Sequence, residues 1–320
     1  MDMKLRIVSA FILASPWAGV LQAADPQLLS LVPPDAKILA GVNVSQAKSS
    51  PFGQFLIAQV VNNQHLSEII AKTGFDPTRD LNELLVASNG AASNPSHLAL
   101  ARGNFGAGIT AAATAAGATS EVYNGVTIVA NPKRGDAFAF LNPTLAVAGA
   151  VADVKGAIDR QAAPAKLDTA LMSTITQLSV TEGEDAWFVS LVPPPAFKAP
   201  ANAPNVPAIP STVFQNVQQA QGGVQFTPQG VVFNAQLQAD TAQNATAMAN
   251  VLQFFVNLGQ MQAQQKSQAA AALKAVIISA SGQSVTVSTT VPEAQLEAVI
   301  QSQAQPKIER RPGPRPQRRL

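Results

Sequence analysis

The sequence predicts an α+β protein of two related lobes, each a mainly antiparallel sheet with helices packed on one face. Three observations lead to this prediction. Short apolar or β-branched runs are joined in pairs by turn residues, which is typical of hairpins. Runs with helical spacing follow these hairpins. The order hairpin, helix, hairpin, helix occurs twice, so we expect a first lobe over residues 25–165 and a second over 166–305.

The first lobe opens with an apolar run that indicates a buried strand, Lys37 to Val44. Ser50-Pro51 then supplies a helix cap and a first-turn proline, and apolar residues at helical spacing run from Phe52 to Ile70. Asn124-Gly125 is the strongest local signal, because this pair between β-branched runs is typical of a type I′ hairpin. The pattern also predicts strands at 84–87, 98–102, 138–141 and 145–148, and helices at 109–116 and 151–161.

The second lobe repeats this order in outline. Its first strand, Asp185 to Val189, echoes Asp35 to Leu39. A long helix is predicted from Thr241 to about Gln265, because Met248 and Leu258 mark the ends of an apolar stripe. Hairpins are predicted at 224–237 and 276–289, with a closing helix after position 292.

The first 24 residues are typical of a secretory signal peptide. Lys4 and Arg6 precede an apolar run from Ile7 to Leu21, and cleavage is expected near Ala23 or Ala24. The run is broken by Pro16 and is shorter than the roughly 20 residues that span a bilayer. We therefore expect a periplasmic or secreted product with no transmembrane helix in its mature chain.

The chain of 320 residues contains no cysteine. A lipoprotein anchor, a thiolate nucleophile and every cysteine-ligated metal site are therefore excluded. Because export usually permits disulfides, their absence means that the core alone stabilises the fold. Hydrophobic residues make up 47% of the chain, which is ample for such a core.

Two proline-rich segments stand apart from the lobes. Residues 193–210 form a Pro/Ala run, predicted to be a semi-rigid loop. Residues 306–320 lack apolar periodicity and are predicted to be disordered. This tail can attract an anionic envelope component through its six cations, whereas nucleic acid is not an expected partner of an exported chain. The six are Lys307, Arg310, Arg311, Arg315, Arg318 and Arg319.

Few residues suggest chemistry, and we predict no catalytic residue, no cofactor and no metal site. His65 and His97 have no acidic or nucleophilic neighbour in sequence, so surface or turn positions are expected. Residues 103–108 lie between a strand and a helix as a phosphate loop does, but the spacing G-x-x-G-x-G favours a simple turn. The acidic groups 182–185 and Asp76, Asp80 and Glu83 lack the alternating pattern of a calcium loop.

Parts of the first lobe resemble a group of uncharacterised exported bacterial proteins. The resemblance rests on Leu31 to Val42, which contains PPDAK, on Ser50-Pro51-Phe52-Gly53, on Leu98 to Phe105 and on Tyr123 to Val126. These motifs are strand starts, caps and turns. The resemblance therefore implies export and an α+β fold, and it implies no activity or site residue.

The sequence favours a non-catalytic envelope protein that acts as a binding or scaffold module. Two alternatives remain open. One is a hydrolase whose acidic residues meet only in the fold, as two carboxylates facing each other in a cleft between the lobes. The other is a carrier of a small apolar ligand, held between the helices Phe52–Ile70 and Met248–Leu258.

Overall fold

The computed structural model describes residues 24–61, 64–181, 183–193, 214–263 and 273–304. The predicted tail lies outside these residues, as do the predicted signal peptide apart from Ala24 and the proline-rich loop apart from Pro193. The helices, strands and contacts of the fold are those of this described part of the chain.

Twelve strands form one sheet in which every neighbouring pair runs antiparallel. Their bounds are β1 Ile38–Asn43, β2 Leu81–Ser88, β3 His97–Gly103, β4 Thr119–Tyr123, β5 Val126–Ala130, β6 Asp136–Asn142, β7 Leu145–Ala150, β8 Ala186–Ser190, β9 Val217–Thr227, β10 Gly230–Ala239, β11 Ile277–Ser281 and β12 Ser284–Val291. The order across the sheet is β11-β12-β10-β9-β8-β1-β2-β3-β7-β6-β5-β4.

The pairing of β1 with β8 joins the two halves of the chain. The α+β class and the mainly antiparallel sheet are thereby confirmed. The strands expected in two lobes belong to one continuous sheet, because β8 adds to the open edge of β1 instead of starting a sheet of its own. The division into two related lobes stays a prediction.

The helices precede, connect and follow these strands. Their bounds are α1 Pro26–Ser30, α2 Val44–Ala47, α3 Pro51–Val61, α4 Gln64–Thr73, α5 Pro77–Asp80, α6 Gly108–Ala115, α7 Val151–Ala162, α8 Thr169–Thr181, α9 Ala242–Ala263 and α10 Glu293–Ala304. The predicted long helix of the second half is confirmed as α9. The predicted run from Phe52 to Ile70 falls into two helices, α3 and α4, on either side of the Asn62-Asn63 pair.

Side chains alternate between the two sides of the sheet, and directly paired residues share a side. We call the side that carries Leu39 and Val189 the back face, and the other side the front face. The back face holds the larger core, where α7 buries Val154, Ala157 and Ile158 at helical spacing. A second core forms where Met248 of α9 packs on the front face. One sheet thus carries helices on both sides.

The hairpin between β4 and β5 turns as its sequence predicts. Asn124 and Gly125 have φ angles of 48° and 81°, the left-handed values that a type I′ turn requires. The Asn124 amide donates to Asp159 Oδ1 at 2.9 Å, and the Tyr123 hydroxyl donates to Asp159 Oδ2 at 3.0 Å. Two side-chain hydrogen bonds therefore connect the turn to α7.

Candidate ligand-binding site

Two rows of front-face residues cross the sheet from strand to strand. The first row contains only apolar residues and glycine over nine consecutive strands: Phe138, Ala148, Ala99, Val86, Ala40, Phe188, Gly222, Ala235 and Val287. The second row is apolar until its last member: Phe140, Ala146, Ala101, Leu84, Val42, Ala186, Val224, Phe233 and Thr289. Along these two rows the front face is therefore apolar over nine of the twelve strands, except at Thr289.

The middle of this apolar face is partly open to solvent. Val42, Val86 and Phe188 are 37%, 38% and 39% exposed, on three strands that lie side by side. Sheets with one solvated face normally place polar residues there. An open apolar face at the centre of the sheet is therefore a candidate for binding.

A pocket of about 350 Å³ lies next to this opening, on β8, β9, β10 and β12. We call it the Phe188 pocket. Its lining residues are apolar or glycine except for Asn234 and Thr289: Ala186, Trp187, Phe188, Gly223, Val224, Phe233, Asn234, Ala235, Val287 and Thr289. Its volume lies within the roughly 300–1,000 Å³ that is usual for small-molecule sites.

The pocket owes part of its shape to a glycine. A Cβ at Gly222 would lie 3.0 Å from the ring of Phe188 and would overlap the carbonyl oxygen of Asn234. Because Gly222 lacks this atom, the Phe188 ring packs directly over the β9 backbone. The ring thus forms one wall of the pocket and remains partly exposed.

Helices stand at both ends of the Phe188 pocket. At one end, Met248 of α9 belongs to the core that contains Ala220 of β9. At the other end, the ring of Phe52 in α3 meets the ring of Phe226 edge-on, with centroids 5.2 Å apart. Val224 of the pocket lies between Ala220 and Phe226 along β9, so the pocket lies between the two helices named in the carrier alternative.

A larger pocket of about 530 Å³ lies between α6 and the front face of β5, β6 and β7. Val129, Phe138 and Ala148 form its apolar floor, and Lys133 and Asp136 also line it. The first front-face row connects this floor with Phe188 across β3, β2 and β1.

The acidic residues singled out from the sequence have structural partners. Asp76 caps α5 by accepting from the Thr78 N–H at 2.9 Å, and Asp80 forms an ion pair with Arg79 at 2.7 Å. Glu83 accepts from the Asp25 N–H at 2.9 Å. In the described ranges, no cluster of three or more His, Asp or Glu side chains is arranged to hold a metal ion.

Two further carboxylates lie at the start of β8. Burial raises the pKa of Asp185 above its ordinary value, although the Phe226 N–H donates to its Oδ2 at 2.6 Å and acts in the opposite direction. The carboxylate of Glu184 packs against Gly223 in the space that a Cβ would fill. Because Asp185 is only 2% exposed and Glu184 only 5%, neither carboxylate is open to a substrate.

The other residues that the sequence analysis considered as possible site residues either lie away from the lining of the Phe188 pocket or fall outside the described part of the chain. His97 is exposed at the first position of β3, and His65 falls in α4 with its side chain outside the described residues. Residues 103–108 form a packed turn, in which the Asn104 N–H donates to the Asp80 carbonyl at 2.7 Å and the Phe105 N–H to the Pro143 carbonyl at 2.9 Å. The six basic tail residues lie outside the described part of the chain.

The sequence analysis missed the front-face residues, although one signal was available. In β8, Ala186 and Phe188 alternate with Trp187 and Val189, so the strand is apolar on both faces. Such a strand is expected where both faces are covered. The structure leaves Phe188 partly open instead.

No protein-family model and no curated protein matches the sequence. Two solved structures, crystal forms III and I of TP0453, are similar in fold. The TM-scores are 0.53 and 0.51 at 11% identity in each case; the matches cover 87% and 88% of this chain and 98% of TP0453. At this identity the similarity concerns the fold alone, and it supports the α+β architecture. The resemblance to exported bacterial proteins stays a prediction.

None of the helices in the described ranges is both long and apolar enough to cross a bilayer.

Proposed function

We propose that this chain is an exported, non-catalytic binding protein that holds a small apolar ligand in the Phe188 pocket. One observation carries the proposal: a pocket of about 350 Å³, lined almost wholly by apolar side chains, lies beside an open stretch of the same face. Large exposed apolar patches are uncommon on soluble proteins, and they mark interaction sites or ligand grooves.

The position of the pocket supports a ligand over simple core packing. Phe52 of α3 packs on Phe226 at one end of β9, Met248 of α9 belongs to the core at the other end, and neither residue lines the pocket. A ligand of apolar surface would replace water there and gain roughly 25 cal/mol for each Å² that it buries.

Fluorescence of N-phenylnaphthylamine, a neutral apolar probe that is bright only out of water, tests this proposal. We expect saturable binding of one probe per chain to the purified, delipidated protein. Ala235→Phe fills the pocket and should abolish binding. Val122→Phe adds a ring on the surface of β4, where Val122 is 73% exposed, and should leave binding unchanged.

Phe188→Ser provides a second variant should Ala235→Phe fail to fold. Its ring is partly exposed, so its removal should preserve the fold while the pocket loses a wall. Absence of saturable binding by the wild-type chain, or unchanged binding by folded pocket variants, would refute the proposal.

The compartment and the tail complete the proposal. A leader within the first 24 residues directs export, and the six tail cations hold the protein at an anionic envelope surface. Retention on isolated envelope should decrease when salt rises and when residues 306–320 are deleted. Equal retention of the full-length and shortened chains would discard the role of the tail.

A further inference from the structure

An apolar path joins the Phe188 pocket to the larger pocket beside α6, which we call the α6 pocket. Both pockets are lined by residues of the first front-face row, since Ala148 lines the α6 pocket and Phe188 the other. Between these two residues the row crosses β3, β2 and β1 through Ala99, Val86 and Ala40. The path between the pockets is therefore apolar at every strand.

This path is also open to solvent. Ala148, Val86 and Phe188 are exposed, and Ala99 and Ala40 are half-buried. The preceding or following residue in each of these strands points to the back face and is fully buried: Leu39, Leu85, Leu98, Val147 and Val189. Covering apolar surface that is in contact with water is favourable. An apolar ligand lying along the path would provide that cover.

The length of the path favours a long chain. Four strand spacings separate Ala148 on β7 from Phe188 on β8, which is about 19 Å at the usual spacing of about 4.8 Å. Each carbon of an extended hydrocarbon chain adds about 1.25 Å, because C–C bonds of about 1.5 Å meet at tetrahedral angles. A chain of about 16 carbons therefore reaches from one pocket to the other, whereas a chain of about 10 carbons occupies only one.

The two pockets differ in polarity. Asn131, Lys133 and Asp136 line the α6 pocket, whereas no charged residue among those described lines the Phe188 pocket. Arg134 pairs with Asp136 at 3.1 Å and offsets its charge, which leaves Lys133 as the cation of the α6 pocket. A negatively charged head group therefore fits the α6 end of the path, and an apolar chain end fits the Phe188 end.

From these observations we infer that the ligand is a fatty acid with a single chain of about 16 carbons, which occupies both pockets. Its methyl end lies in the Phe188 pocket, its chain follows the first front-face row, and its carboxylate lies at the α6 pocket beside Lys133. The inference rests on the proposed function, because it names the ligand class and extends the same site to a second pocket.

Displacement of N-phenylnaphthylamine by the saturated fatty acids from octanoate to arachidate, each below its micelle concentration, measures the length of the site. Affinity should rise about two- to fourfold with each added carbon, since complete burial of a methylene group is worth about fourfold. The rise should stop near palmitate. A rise that stops near decanoate would contradict the inference and leave the proposed binding in the Phe188 pocket intact.

Val86→Gln tests the path between the pockets. Val86 is 38% exposed, so the fold should tolerate an amide that makes the middle of the path polar. Palmitate should bind about tenfold more weakly, while decanoate and N-phenylnaphthylamine should bind as they do to the wild type. Val122→Gln is the matched control on β4, where Val122 is 73% exposed, and it should change none of these affinities. Equal loss of palmitate and decanoate binding would contradict the path.

Lys133→Gln tests the position of the carboxylate. Palmitate should bind about two- to fivefold more weakly, the usual worth of one exposed ion pair, whereas hexadecanol should bind with unchanged affinity. Equal effects on the acid and the alcohol would contradict the assigned head group.

Trp187 reports the direction of the bound chain without any variant. It lines the Phe188 pocket, and the other tryptophan of the sequence, Trp17, lies in the expected leader. Stearate with a nitroxide near its methyl end should quench Trp187 fluorescence more strongly than stearate with a nitroxide near its carboxylate. Equal quenching or the reverse order would contradict the inference. If neither the probe nor any fatty acid binds, the proposed function fails together with the inference.

Discussion

The indole of Trp187 lies against Gly41, its direct partner across the β1–β8 pair. A Cβ at Gly41 would overlap the indole ring, so the indole in this position requires glycine at position 41. The contact lies on the back face, where Trp187 is 3% exposed and packs in the same core as Leu39 and Val189. It lies at the pair of strands that joins the two halves of the sheet.

Gly41→Ala should therefore destabilise the fold by about 1–3 kcal/mol, the usual cost of forcing extra volume into a packed core. Gly106→Ala is the control, because a Cβ at Gly106 meets no atom within 4 Å. Urea denaturation followed by Trp187 fluorescence measures both. Equal free energies of unfolding for Gly41→Ala and the control would contradict the proposed packing.

The pH dependence of stability should reveal the buried Asp185. Burial raises the pKa of its carboxyl group in the folded chain above the value in the unfolded chain. The unfolded value is about 3.9, so the stabilising contribution of the protonated group is present below that pH and is lost as pH rises through the folded pKa. Asp185→Asn keeps an acceptor for the Phe226 N–H without this titration.

We expect the free energy of unfolding of Asp185→Asn, relative to wild type, to increase as pH rises from below 4 through the folded pKa, then to level off. Chemical denaturation over this pH series measures the difference. A difference that stays constant with pH would show that Asp185 titrates alike in both states.

The turn of the β4–β5 hairpin offers a third prediction. Gly125→Ala should cost about 1–2 kcal/mol, because φ at this position is 81° and side chains with a Cβ rarely adopt that value. Asn124→Gly keeps the turn conformation and loses only the exposed hydrogen bond to Asp159, so its effect should be smaller. Thermal unfolding ranks the two variants, and the reverse order would contradict the assigned turn.

The contacts of Ala24 and Asp25 favour one of the two cleavage positions that the sequence predicts. Ala24 is 2% exposed and belongs to the back-face core, and Asp25 caps α1 and pairs with Arg102 at 2.6 Å. Cleavage after Ala23 keeps all of these contacts and leaves a small residue before the cut, as a signal peptidase requires. Amino-terminal sequencing of the exported protein should therefore begin at Ala24. A chain that retains Met1, or begins beyond Asp25, would contradict this boundary.

Local patterns predicted most of the elements and little of the site. Asn124-Gly125 and Ser50-Pro51 specify a turn and a helix start through their own backbone preferences, so a single sequence suffices. The pairing of β1 with β8 depends on residues nearly 150 positions apart, and no local preference encodes it. The Phe188 pocket arises from that pairing and its neighbours, because Phe188, Phe233 and Thr289 come together only through the register of the strands. The pattern of β8 indicated a strand apolar on both faces but not that one face would stay open.

The central claim is that an apolar chain occupies the Phe188 pocket. A crystal structure of the protein with a long-chain alcohol brominated at its far end tests this claim most directly. Anomalous scattering locates the bromine atom independently of how the remaining electron density is interpreted. We predict an anomalous peak in the Phe188 pocket, against Phe188, Val224 and Ala235. A bromine peak on another surface, or an unoccupied pocket at saturating alcohol, would contradict the account.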